Sequence, residues 1–339
     1  MRFWRRARPE QTSAVDQRPP LYLHAGLHKT GTTALQMALH THAARLKTAG
    51  FLYPTSGIPE GSDGHHNLAW EMARDRRFRA GVGTIDDAAR EIAAHGGPAI
   101  LSSEDFETML DRPEEFDAIA DHPLLAGHRL VLVVYLREQS AYFRSLFLEL
   151  TVHGLTAEMA TLAETVRERG CFDLHEWRFQ FDYHRVATRL AAWRGGSLIL
   201  RNHHALAGGS TVTDFLDLVR PGITLPEEDS VRFVHAERPL AEAVADFFMA
   251  RLAAPLNEAQ REAIAAACSS AGHAKPDLSL ALQARLQSAF SSSNHKLAQS
   301  AGLSLTAAAS RAGVQRNRLA LDGLFTFEMQ NRLTALAAN

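Results

Sequence analysis

Up to about residue 225 the chain carries two hydrophobic patterns: short unbroken apolar runs, and longer stretches whose apolar residues recur three and four positions apart. The runs Leu21–Leu23, Ala99–Leu101, Leu130–Leu136 and Ser197–Leu200 predict strands, and the third, rich in Val and Leu, has the unbroken character of a central strand buried on both faces. Helical spacing predicts helices from about Thr32 to Ala49, over NLAWEMARD, around Ile85 to His95, from Glu138–Ala141 onward, over FDYHRVATRLAAW and over TVTDFLDLV. Gly50 and Gly195–Gly196 supply stops, FLYP (Phe51 to Pro54) reads as a short extended segment, and residues 55–66 as a long loop. Strands alternating with helices predict an α/β fold with a central, mostly parallel sheet. Beyond Pro226 every patterned segment is helical, among them RPLAEAVADFFMARLA, NEAQREAIAAACSSAG and DLSLALQARLQSAF. The expected organisation is therefore a flexible basic tail at 1–19, an α/β domain at 20–225 and a helical extension at 226–339.

Composition narrows this picture little. A chain of 339 residues, 46% of them hydrophobic, can bury a large core, and a net charge of −2 offers no global field for nucleic acid. Two cysteines, Cys171 and Cys268, make no disulfide framework and point to a reducing compartment, so a cytoplasmic protein is expected. The tail lacks the apolar stretch of a signal peptide, and no apolar run reaches the length of a membrane span. A sharper reading of Phe3, Trp4 and the neighbouring arginines is a weak membrane-surface contact.

Candidate chemistry concentrates where the first strand meets the first helix. In LYLHAGLHKTGTTALQ, Lys29, Thr30, Gly31, Thr32 and Thr33 bring one ammonium, three hydroxyls and a glycine to a helix start, where free N–H groups and the helix dipole favour an anion. The plain alternative is an ordinary β-to-α turn holding a lysine. Lysine precedes glycine here, the reverse of the triphosphatase order G-x-x-x-x-G-K-[ST]. The run AILSSEDF sets Glu104 beyond the carboxyl end of a strand, where ligands gather in open α/β sheets. A partly desolvated carboxylate near an anion suits a general base, and equally an acid capping a helix.

Arg137 ends the third strand with a forked cation suited to phosphate, and Ser145 follows eight residues later; a surface ion pair and a helix-surface serine are the alternatives. Arg201, at the end of the fourth strand, lines a cleft or makes a structural salt bridge. His65 and His66 are adjacent, lack metal-ligand spacing and stand as reserve candidates for the base. His24 and His28, and His203 and His204, are equally unsupported as ligands, so no metal is expected.

KTGTT after a strand resembles the 5'-phosphosulfate loop of sulfotransferases that use 3'-phosphoadenosine 5'-phosphosulfate (PAPS), and GLHKTGTTALQ resembles their bacterial and carbohydrate-type branch. The resemblance spans roughly residues 20–225 and implies a P-loop-like three-layer α/β/α sandwich. It implies Lys29 at the bridging oxygen and sulfuryl group, Thr30 to Thr33 around the 5'-phosphate, and Arg137 with Ser145 at the 3'-phosphate, with His28 and Arg201 also among the cofactor-binding residues. A strand followed by SSE recurs in bacterial relatives, and carbohydrate-type enzymes often use glutamate where cytosolic ones use histidine, which favours Glu104 as base. One departure is the lack of a basic RKG-type motif near the C-terminus, which SRAGVQRNR (310–318) does not match. A phenol or steroid sulfotransferase therefore fits less well than a glycan-type one.

The expected activity is transfer of the sulfuryl group from PAPS to a hydroxyl or amine of a carbohydrate or glycoconjugate. Two alternatives remain open at this point. A P-loop nucleotide kinase or triphosphatase is weakened by the absent GK[ST] and strand-end aspartate. A catalytically silent glycan- or partner-binding protein would keep the fold without the reaction.

Overall fold

Four of the apolar runs lie side by side as strands. The computed structural model describes residues 16–193, 197–206, 210–221, 238–269, 276–305 and 319–337. Residues 1–15 of the expected tail, Gly195–Gly196, the 225/226 boundary and the 310–318 stretch fall outside the described residues. β1 (Pro20–His24), β2 (Ala99–Ser102), β3 (Arg129–Leu136) and β6 (Ser197–Asn202) form one sheet in the order β2-β1-β3-β6, every pairing parallel. β4 (Cys171–Leu174) and β5 (Trp177–Gln180) are short strands outside it.

Parallel neighbours require crossovers, and helices supply them. α1 (Thr32–Thr41), α2 (Ala43–Thr48), α3 (His66–Met72) and α4 (Ile85–His95) separate β1 from β2, and α5 (Asp117–Ala120) precedes β3. α6 (Gln139–Leu150), α7 (Met159–Arg169) and α8 (Tyr183–Ala192) lie between β3 and β6, with α9 (Thr211–Val219) after it. On one sheet face Tyr22, Ile100, Val131, Val133 and Tyr135 pack with Leu35 and Leu39 of α1 and Val212 and Phe215 of α9. The alternate positions Leu21, Leu23, Leu101, Leu132, Val134 and Leu136 are equally buried, so the sheet is covered on both faces as the middle of three α/β/α layers.

The register sets Leu23 opposite Leu101 and Leu132, and His24 opposite Ser102 and Val133. The carboxyl ends of β1 and β2 therefore finish level, and the loop after one opens beside the segment after the other. The single helix expected to Ala49 is divided at His42, whose φ of −103° and ψ of 19° leave helical geometry, and Gly50 closes the pair at φ 90°. FLYP contributes only one bridge, Leu52 to Ala99.

Among the described residues the chain forms two compact units. The first runs to Arg137 and adds residues 175–221 and 293–305; the second takes residues 138–174, 238–292 and 319–337. The second unit holds α6, α7, β4, α10 (Leu240–Leu252), α11 (Glu258–Ser269), the first turns of α12 (Leu280–Ala301) and α13 (Phe327–Ala337). Residues 138–174 thus group with the C-terminal helices rather than with the sheet. The reason is aromatic packing: Phe147 of α6 meets Phe247 of α10 at 6.0 Å and Phe325 at 4.9 Å between ring centroids. No helix among the described residues is long and apolar enough to cross a membrane.

Candidate active site

The loop Ala25–Gly31 continues the line of β1 before it turns, because Ala25 N–H donates to Val133 O (3.0 Å) and Leu27 N–H to Tyr135 O (3.3 Å). The turn is made by two left-handed residues, Lys29 (φ 62°) and Gly31 (φ 81°), on either side of Thr30. Three bonds hold this shape. Thr30 Oγ1 donates to Leu27 O (2.6 Å), Thr211 Oγ1 to Thr30 O (2.8 Å), and Arg137 Nη1 to Lys29 O (2.8 Å). Gly31 has no room for a side chain, since a Cβ there would come within 2.6 Å of Thr211 Oγ1.

The consequence is a row of backbone donors. The N–H groups of Thr30, Gly31, Thr32, Thr33 and Ala34 have no acceptor among the described residues. Lys29 and Thr33 are exposed beside them, while Thr30 and Thr32 are buried. Five N–H groups at a helix start form the kind of concavity that accepts a phosphate-like anion.

Glu104 opens the tight 3-10 segment Glu104–Met109 after β2. Its Oε2 accepts from Gln36 Nε2 at 2.5 Å, which ties it to the second turn of α1, the helix the loop begins. The same oxygen lies 3.9 Å from His66 Nε2. Oε1 has no partner among the described residues, and the Glu104 side chain is 20% exposed. It is therefore a held carboxylate with one open oxygen, and the capping role falls to Ser103, whose Oγ accepts from Asp105 N–H.

No family model, curated protein or solved structure matches the chain.

His66, at the start of α3, is brought to Glu104, but His65 is not. Both ring nitrogens of His65 are bound to backbone: Nε2 donates to Pro54 O (3.0 Å), and Nδ1 accepts from Ser102 N–H (3.1 Å). Its ring is fully buried, and that burial pulls it down to about 4, so it is a neutral structural strut. His28 belongs to the loop, yet its Nδ1 and its N–H both meet Glu107 Oε2, at 2.8 and 3.0 Å. Burial works against its charge, and the Glu107 carboxylate more than offsets this, so the imidazole is raised.

Arg137 reaches the loop from the end of β3, its own carbonyl accepting from Tyr183 Oη (2.8 Å). Ser145 is buried on α6 in the second unit. Arg201 takes the structural option: Nε donates to Asp214 Oδ2 (2.8 Å), Nη2 pairs with Asp214 Oδ1, and Tyr135 Oη donates to the same carboxylate (2.8 Å). That triad joins β3, β6 and α9 behind the loop.

Sequence patterning passes over several residues that complete the site. Gln36 stands in the motif string, and its place in the second helical turn after the loop is the available signal. Asp105 looks like one more acid beside Glu104. Thr211 and His203 come from distant segments, with His203 Cε1 only 3.8 Å from where a Gly31 Cβ would stand. His203 is lowered to about 4 by burial, with Arg137 and His204 adding to the effect. Among the described residues, no group of three or more His, Cys, Asp or Glu could hold a metal ion.

Proposed function

We propose that this chain is a PAPS-dependent sulfotransferase of the carbohydrate type, sulfating a hydroxyl or amine of a glycan or glycoconjugate. The observation that carries the reading is the row of five unaccepted N–H groups from Thr30 to Ala34, set beside Lys29 in the KTG order, with Glu104 bonded to Gln36 of the helix that row opens. A triphosphate site would want the GK[ST] lysine and a strand-end aspartate, and here Arg137 follows the strand. The free thiols of Cys171 and Cys268 fit the cytoplasm as the compartment.

The donor set suits a bisphosphorylated nucleotide. The row of N–H groups and the threonine hydroxyls would hold the 5'-phosphate, and Arg137 the 3'-phosphate. Bound, PAPS supplies an activated sulfuryl group on a phosphate leaving group. Lys29 stabilises the charge that develops on the departing phosphate oxygen, and Glu104 takes the proton that the acceptor hydroxyl loses, through its open Oε1. Gln36 keeps that carboxylate aligned with the loop helix. The rest of the rate comes from positioning.

The test is transfer of label from 35S-PAPS to a panel of glycans. Wild-type protein is expected to label an acceptor, and Glu104→Gln to cut the turnover by roughly 10²- to 10⁴-fold while still binding 3',5'-adenosine bisphosphate. Binding of the bisphosphate with no transfer to any glycan would favour the silent binding protein instead.

A further inference from the structure

Asp105, next to the proposed base, is held on both carboxylate oxygens. Its Oδ2 accepts from Trp70 Nε1 (2.9 Å) and lies 3.0 Å from His66 Nδ1; its Oδ1 accepts from Trp177 Nε1 (2.5 Å) and faces Arg77 Nη2 at 3.6 Å. The four donors come from α3, the connection after it and β5, so the carboxylate is fixed from several sides. Burial alone would raise it, but hydrogen bonding and charge from His66 hold it well below the usual carboxylate range. Asp105 in turn fixes His66, with Nδ1 toward Asp105 and Ser103 Oγ (2.9 Å) and Nε2 toward Glu104. Gly64 permits this: a Cβ there would come within 2.8 Å of both His66 Nε2 and Gln36 Oε1.

We infer that His66, clamped by Asp105, is a positioning residue that holds Glu104 oriented beside the anion-binding loop, its Nε2 standing 3.9 Å from Glu104 Oε2. This rests on the reading of Glu104 as base. The physical need is specific to that role. A general base must keep its carboxylate aligned on the acceptor, and a fixed neighbouring side chain restrains it there. Burial lowers His66, and the Glu104 and Asp105 carboxylates more than restore it, so it is raised overall. The other charged or titratable groups acting on the cluster are Arg77, which opposes the His66 charge, the neighbouring His65, which is neutral, and His28, which acts on Asp105.

The experiment is NMR titration of the full chain labelled with 13Cε1-histidine, the His66 signal being assigned by its loss in His66→Gln. The His66 midpoint should fall to lower pH in the isosteric Glu104→Gln and again in Asp105→Asn. In the transfer assay, His66→Gln should lower kcat with little change in KM for the donor, while bisphosphate affinity is kept. An unchanged His66 midpoint in Glu104→Gln overturns the inference, whatever the substrate. Coupled midpoints in a protein that binds no bisphosphate would uphold the charge unit and remove the sulfotransferase reading.

Discussion

Gly31 and Lys29 hold the left-handed turns that expose the loop's N–H groups, and only one of the two is a glycine. The positive φ of Lys29 is a strained choice for a side-chain-bearing residue, retained where Arg137 grips its carbonyl. Gly31 carries a second constraint that Gly50 lacks. Both have positive φ, but nothing lies within 4 Å of a Gly50 Cβ, whereas Thr211 blocks one at Gly31. Gly50→Ala should therefore cost about 1 kcal/mol in chemical denaturation, the price of the backbone conformation alone. Gly31→Ala should cost more and also weaken bisphosphate binding. Equal losses in the two variants would mean that Thr211 yields freely.

At the scale of elements, the four strands and most helices of the first unit were legible because each pattern is local: unbroken apolar runs at 99–101 and 130–136, and helical spacing at 85–95. Their order in the sheet was not, since register depends on which faces meet. The same limit explains the site. Lys29 to Thr33 lie in one continuous string, so the loop could be seen in the sequence. Gln36, Asp105 and Thr211 act on it through contacts between segments that carry no short motif. Arg201 shows the other side of this limit, because a strand-end arginine looks alike whether it meets a ligand or Asp214. Asp214 joins Tyr135 of β3 and Arg201 of β6 to α9, so Asp214→Asn should lower unfolding stability by roughly 1.5–3 kcal/mol, the usual range for hydrogen bonds to a charged group. No loss in urea denaturation would show that the triad is dispensable.

For the molecule as a whole, the histidines set opposing pH limits. Burial lowers His24 to about 3 and His65 to about 4, against about 6.5 unfolded, so their neutral forms stabilise the fold above that value and the stability is lost as pH falls toward 4. His28 and His66 are raised by their carboxylates, so their contribution is fully present below about 6.5 and is lost as pH rises through their folded values. Urea midpoints across this range should fall on both sides, and His66→Gln should flatten the alkaline side only. A steady gain in stability toward acid would contradict these assignments. The loop's ligand is the central question, and calorimetry answers it most directly. The purified chain should bind 3',5'-adenosine bisphosphate, and Lys29→Ala and Arg137→Ala should each weaken binding by roughly ten- to hundredfold. Tighter binding of ATP with magnesium than of the bisphosphate would contradict the account.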